Sequence, residues 1–195
     1  MDAEDFVIEI EDLLSRHARA VPWMLNLLGS HDTSRVLTLA RGDVSRVLLA
    51  FTALFTLPGV PMIYYGDEVG LSGGDDPECR RAMPWEPASW DREILDHVHR
   101  LSRIRREHSP LRRGSFQRIL ERNGMAIYGR KHEAAEVVVV LNPRGVQRHV
   151  SFAAQGAQWR DLLSHRTYPV IDGEVRVDNL HTSTGLILVN AGESV

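Results

Sequence analysis

Two short apolar runs, each ending in acidic residues, constrain this chain more than anything else in it. The first covers residues 23–28 and leads into Gly29-Ser30-His31-Asp32; the second covers residues 60–65 and leads into Gly66-Asp67-Glu68. Between them Gly42-Asp43 opens a helical pattern. Asp43 suits the N-cap, Val44, Val47, Leu48, Phe51, Leu54 and Phe55 form a broad apolar face, and Pro58-Gly59 ends it. Strand, helix, strand in this order predicts two buried parallel strands with a crossover helix. Acidic groups placed where such strands give way to loops occupy the end of a (β/α) barrel at which sites are built.

The flanking sequence extends the pattern and then abandons it. Residues 3–19 carry Phe6, Ile10, Leu13, Leu14 and His17 at helical spacing, with acids early and Arg16 and Arg19 late, and Pro22 stops the helix. Residues 66–91 have no clear period and are rich in Gly, Asp, Pro and Trp; a loop of this length inside a domain is usually functional or disordered, and Trp85 and Trp90 argue against disorder. Asp91 starts a third helix with Ile94, Leu95, Val98, Leu101 and Ile104 on one side and arginines in its last turns. From Ser109-Pro110 the spacing becomes that of short strands, at residues 116–120, 125–130, 136–141, 150–152, 159–163, 174–177 and 185–189. Asn123-Gly124, Asn142-Pro143, Gly156 and Asp172-Gly173 mark turns between them. An antiparallel sheet or sandwich is the expected result. The predicted architecture is therefore α/β plus all-β, with one unit over residues 1–109 and a second over 110–195.

Composition removes several classes of function. The formal net charge of −3 gives no bulk attraction for nucleic acid or anionic membrane. The only cysteine is Cys79, so no intrachain disulfide can form, as suits a reducing compartment. The first five residues are acidic where a signal peptide is basic, and no apolar run approaches the ~20 residues of a membrane helix. These features predict a cytoplasmic protein. Histidines 17, 97, 99, 108 and 132 lack zinc-type spacing, no Asp-rich calcium loop is present, and Gly73-Gly74 opens no helix of the phosphate-binding kind. No metal or cofactor is expected. His97 and His99 read as a surface pair on the third helix, and the arginines between 100 and 113 as a solvated, dipole-matched helix end.

Residues 26–35, Asn-Leu-Leu-Gly-Ser-His-Asp-Thr-Ser-Arg, resemble the fourth signature region of the α-amylase family, glycoside hydrolase family 13. Residues 59–70, Gly-Val-Pro-Met-Ile-Tyr-Tyr-Gly-Asp-Glu-Val-Gly, resemble that family's strand-eight signature. Residues 76–85 resemble the loop that follows it in the neopullulanase, cyclomaltodextrinase and maltogenic amylase branch. Three motifs in the right order carry more weight than any one of them. The resemblance implies the C-terminal portion of a (β/α)8 TIM barrel, about strands seven and eight with their helices, followed by a β-sandwich C-domain. A whole barrel needs at least roughly 200 residues, and the chain has 195 in all.

On residue type and spacing alone, a His-Asp pair at a strand end is more often a cap or a local ion pair than a site. The resemblance assigns roles. Asp32 corresponds to the family's transition-state-stabilising acid, whose contacts with sugar hydroxyls tighten as the ring flattens. His31 corresponds to a neighbouring hydroxyl ligand, and Asp76 with Arg80 to a clamp on glucose. Asp67 and Glu68 read as rim residues, and Tyr64, Tyr65 and Trp85 as core or aromatic walls. The nucleophile and general acid/base of these retaining enzymes lie on strands four and five, which have no counterpart here. The expected ligand is an α-glucan oligosaccharide. The expected protein partner is either the missing N-terminal part of the enzyme or a second copy docking through open barrel edges. A non-catalytic glucan-binding or partner-docking homologue is the alternative.

Overall fold

A computed structural model describes residues 3–119, 124–145 and 147–192. The strand residue Leu120, the turn residue Asn123 and the N-terminal Met1-Asp2 lie outside the described residues. The chain opens with helix α1 (Ala3–Arg16), strand β1 (Leu25–Leu27) and a short helix α2 (Val36–Leu39). Helix α3 (Val44–Thr56), strand β2 (Val60–Met62) and helix α4 (Arg92–Glu107) follow. Asp43 and Asp91 cap α3 and α4, accepting from the backbone N–H of Arg46 and Ile94 at 3.3 and 3.1 Å, as their side-chain type predicts. β1 and β2 are parallel neighbours, with Leu25, Asn26 and Leu27 opposite Val60, Pro61 and Met62.

The second half begins with a one-turn helix α5 (Ser109–Arg113) that the sequence reading did not separate. Strands β3 (Ser115–Ile119), β4 (Ala126–His132), β5 (Ala135–Asn142), β6 (Gln147–Ala153) and β7 (Gln158–Asp161) come next. They are followed by β8 (Thr167–Ile171), β9 (Glu174–Leu180) and β10 (Thr184–Asn190). All eight form one antiparallel sheet in the order β3-β4-β5-β10-β7-β8-β9-β6. β8 was missed from sequence because Pro169 interrupts it and its five residues alternate between exposed and half-buried.

The sheet curls, so its central strands are covered on both faces. Tyr128, Val137, Val139, Leu141, Ile187 and Val189 face a core shared with Val47, Phe51 and Phe55 of α3 and with Ile94, Val98, Leu101 and Ile104 of α4. Their alternates, among them Ile127, Val138, Val140, Leu186 and Leu188, face a second core closed by Phe152, Trp159, Val175 and Val177. The unbroken apolar run at 137–141 follows from burial on both sides. The first core crosses residue 109 and binds the helices to the sheet.

Three polar anchors reinforce that seam. α3 ends against Pro58, leaving its last carbonyls without helical donors. Arg130, 1% exposed, donates Nη1 to Thr56 O at 2.5 Å, Nη2 to Gly114 O at 2.9 Å and Nε to Ser115 O at 3.3 Å. Thr56 Oγ1 shares a hydrogen bond with the buried Tyr128 hydroxyl. Arg105 donates to the carbonyls of Phe55, Leu57 and Gly59. The arginines at the end of α4 therefore do more than face solvent. Arg105 is a half-buried carbonyl clamp, and Arg100 reaches Leu163 O at 3.1 Å. His97 is a second correction. It turns inward, its Nε2 3.0 Å from both Leu48 O and Thr52 Oγ1, because it shares the stripe of Ile94 and Leu101.

β1 and β2 are not the buried strands their composition predicted. Leu25, Leu27 and Val60 are 60, 44 and 43% exposed. A two-stranded pair has α3 on one side and, among the described residues, no further strand at either edge. No helix among the described residues is long and apolar enough to cross a membrane.

Removing Arg130 leaves one buried and two part-buried carbonyls without their donor. Arg130→Met is expected to lower the urea-unfolding free energy by roughly 3 kcal/mol. A loss below about 1 kcal/mol would show that the carbonyl bonds contribute little. Burial pushes the His97 pKa down from 6.5 to about 4. The unfolded chain thus takes up a proton at His97 before the folded one does. This contribution to stability is full above pH 6.5 and is lost as pH falls towards 4. The stability difference between pH 7 and pH 4.5 should shrink in His97→Gln, measured by urea unfolding at both values.

Candidate active site

The four residues assigned from sequence come together in space. β1 delivers Leu28 and Gly29 to a tight turn. There Ser30 N donates to Thr33 Oγ1 at 3.0 Å, and Ser30 Oγ accepts from Asp32 N at 3.1 Å. This side-chain turn throws His31 and Asp32 outward, with His31 Nε2 3.1 Å from Asp32 Oδ2. The loop after β2 returns across it. Arg80 donates Nη2 to Asp32 Oδ1 at 3.4 Å and Nε to Asp76 Oδ1 at 3.0 Å, so one guanidinium links two carboxylates.

The two loops are sewn together beneath these side chains. Arg35 N donates to Gly73 O at 2.9 Å, Gly73 N to Thr38 Oγ1 at 2.9 Å, and Ser34 Oγ to Asp75 Oδ1 at 2.8 Å. Cys79, fully buried, directs its thiol to His31 O at 3.2 Å. It holds the backbone of His31 in place.

Below the loops lies a pair that the sequence reading did not identify. Arg35 is completely buried, and its Nη1 donates to Asp67 Oδ1 at 3.2 Å and to the carbonyl of Tyr65. Its guanidinium carbon sits 4.2 Å from the ring centre of Tyr64 and 4.6 Å from that of Tyr65, within cation–π range. Nε and Nη2 have no protein acceptor among the described residues, and the rings supply the electron density those groups face. Gly66 turns the chain at φ +87°, which a side chain would strain, and so brings Asp67 under the β1 loop. Gly29 leaves room for that carboxylate, since a Cβ there would stand 2.5 Å from Asp67 Oδ2.

Electrostatically the two layers differ. Burial pushes the Asp67 pKa up to about 6 despite the opposing pull of Arg35. The Asp32, Asp76 and Arg80 side chains are 69, 61 and 47% exposed. Ion pairs this open contribute little stability and exchange readily with other hydrogen-bonding groups. The upper layer thus presents two carboxylates, an imidazole and a guanidinium towards solvent, a set able to bind vicinal hydroxyls. Tyr65 and Trp85 are exposed nearby in sequence, Trp85 at 79%, and the Tyr65 hydroxyl donates to Arg81 O at 2.8 Å. Tyr64 is half-buried against Arg35.

Parallel strands with a crossover helix, and polar groups at the strand ends, fit the part of a (β/α) barrel at which sites are built. The α-amylase catalytic-domain model matches residues 2–93. A cyclomaltodextrinase of Thermoanaerobacter pseudethanolicus is 43% identical over 143 residues, which cover 73% of this chain and 25% of that protein. Neopullulanase 2 of Thermoactinomyces vulgaris is 34% identical over 177 residues, 88% of this chain and 30% of that protein. The crystal structure of an Anoxybacillus α-amylase superposes with a TM-score of 0.84 at 32% identity, covering 95% of this chain and 42% of that one. The chain belongs to the α-amylase family of glycoside hydrolases. Its fold is the C-terminal portion of the family barrel followed by the β-sandwich domain, and it spans about a quarter of the length of the curated relatives it matches.

The buried pair generates a stability prediction. Arg35→Leu strands the Asp67 carboxylate and is expected to cost about 3 to 5 kcal/mol in urea unfolding at pH 7. The double variant Arg35→Leu/Asp67→Asn should recover much of that loss. The raised Asp67 pKa also means that its ionisation subtracts stability as pH rises from about 4 to about 6. Asp67→Asn should remove that loss.

Proposed function

We propose that this chain contributes the third acid and the glucan-holding residues of a retaining α-glucan hydrolase acting on maltodextrins, cyclodextrins or pullulan. The observation that carries the proposal is the single exposed network in which Arg80 bridges Asp32 and Asp76 while His31 rests on Asp32. In a retaining mechanism the ring flattens towards an oxocarbenium ion as the bond to the leaving oxygen breaks. Asp32 accepts hydrogen bonds from hydroxyls adjacent to the reacting carbon, and those bonds strengthen as positive charge develops. Incoming hydroxyls take the place of Arg80 on Asp32. Arg80, still held by Asp76, then donates to the neighbouring sugar. Arg35 and Asp67 touch no sugar and act as positioning residues for the strand ends.

The nucleophile and the general acid/base are proposed to reside on strands other than β1 and β2. Two buried carboxylates outside the network are engaged elsewhere: Asp67 is buried on Arg35, and Asp161 accepts from the backbone N–H groups of Leu163, Ser164 and Ile187. The exposed Leu25, Leu27 and Val60 support a partner-docking reading as well. These side chains are proposed to pack against further barrel strands, which fits the missing N-terminal portion better than a second copy of a two-stranded pair.

The chain as it stands is expected to bind maltotriose weakly and to release no reducing sugar from maltodextrin, cyclodextrin or pullulan. Asp32→Asn should weaken maltotriose binding, read by titration calorimetry, without changing the melting temperature. Hydrolysis by the chain that Asp32→Asn abolishes would overturn the assignment of nucleophile and acid/base to other strands. Maltotriose binding unaffected by either Asp32→Asn or Arg80→Ala would overturn the site itself.

A further inference from the structure

A second site lies at the seam between α4–α5 and the sheet, on elements separate from those that carry Asp32. Two adjoining clefts of about 300 and 370 Å³ meet there, and Glu107, His108 and Arg160 line both. The larger cleft adds Arg103 and His165. The smaller adds Ser109, Glu136 and Asn190. Each is at the lower end of the volumes that hold small ligands.

Three observations give the seam a chemistry. Neither Arg103 nor Arg160 forms an ion pair or a side-chain hydrogen bond among the described residues, so both guanidiniums are free to donate. His108 is 92% buried, its side chain makes no hydrogen bond among the described residues, and it lines both clefts. Burial is the main cause that drives its pKa down; among its charged neighbours Glu107 opposes that shift most strongly, while Arg160 and Arg112 add to it. Two guanidiniums without ion-pair partners and two imidazoles line one space together with the Glu107 carboxylate, and guanidinium groups are well-matched donors to a tetrahedral oxyanion. The smaller cleft has a different character. It offers a hydroxyl, an amide and the Glu136 carboxylate, which match the hydroxyl groups of a polyol, and no aromatic side chain lines either space.

We propose that the seam binds a phosphorylated sugar, its phosphate between Arg103, Arg160 and His165 and its hydroxyl-bearing part towards Ser109, Glu136 and Asn190. His108 forms the floor between the two parts. The site is independent of the glucan reading above and stands or falls without it. Because α4 is fastened to the end of α3 and β2 by Arg105, a ligand here would tie the sheet to the helix that supports the barrel strands.

Titration calorimetry of the chain with glucose 6-phosphate, glucose and inorganic phosphate tests the proposal. Glucose 6-phosphate should bind saturably, phosphate about tenfold more weakly, and glucose not measurably in the same concentration range. Arg160→Ala and Arg103→Ala should each weaken glucose 6-phosphate binding by about tenfold, while Arg16→Ala, on α1, should not. Melting temperatures of the variants verify that they fold. Absence of saturable glucose 6-phosphate binding would overturn the site. Binding unchanged in both folded variants would overturn the guanidinium assignment, and phosphate binding as tightly as the sugar phosphate would overturn the role of the smaller cleft.

Discussion

The junction at the end of α3 is the constraint on which the rest of the structure depends. A helix that stops at Pro58 exposes carbonyls with no helical donor, and here they are buried beneath the sheet. Arg130 from β4 and Arg105 from α4 supply the donors, and Tyr128 shares the Thr56 hydroxyl. An apolar contact alone is non-directional and tolerates sliding. Carbonyl-to-guanidinium bonds fix where α3 stops, hence where β2 begins, and through the Leu25–Val60 register they fix β1. The strand ends that carry the candidate site are thereby positioned from the opposite end of the molecule.

The site itself divides by accessibility. The lower layer, Arg35 with Asp67, is buried, charged and expensive to disturb, so it holds geometry. The upper layer, His31, Asp32, Asp76 and Arg80, is open to water, and its ion pairs are cheap to exchange. A hydroxyl-rich ligand has to displace such pairs to bind, and only groups loosely held by one another can be displaced without large loss. The separation lets one loop pair be rigid in its backbone and adaptable at its tips. Cys79 and the Ser34–Asp75 bond serve the first requirement.

The sequence made the motif residues and the caps legible because both are local. Asp43 and Asp91 announce helix starts by type and position, and residues 26–35 and 76–85 announce the loops by order. The mutual approach of Asp32, Asp76 and Arg80 was legible only through family resemblance, since periodicity says nothing about which loops meet. Arg35 was invisible as a partner of Asp67 because 32 residues separate them and neither falls on an apolar face. His97 was different. Its place on the stripe of Ile94 and Leu101 is readable in the sequence, since positions 94, 97 and 101 share one helix face. β1 and β2 read as buried because apolar strands in crossover units normally are; their exposure reflects what surrounds them, which no local pattern encodes.

That exposure has a mechanical meaning when set beside the sheet. β4, β5 and β10 are closed on both faces by two separate cores, so the stable part of the chain is built around its second half. β1 and β2 are fastened to it through α3 and α4 and gain little from each other. Elements with few buried contacts open at the lowest free energy. The strand pair bearing Asp32 is therefore the part of the fold that gains most from further strands at its edges. Any chain segment that covers Leu25, Leu27 and Val60 would stabilise the barrel side and steady the carboxylate at its rim in the same step.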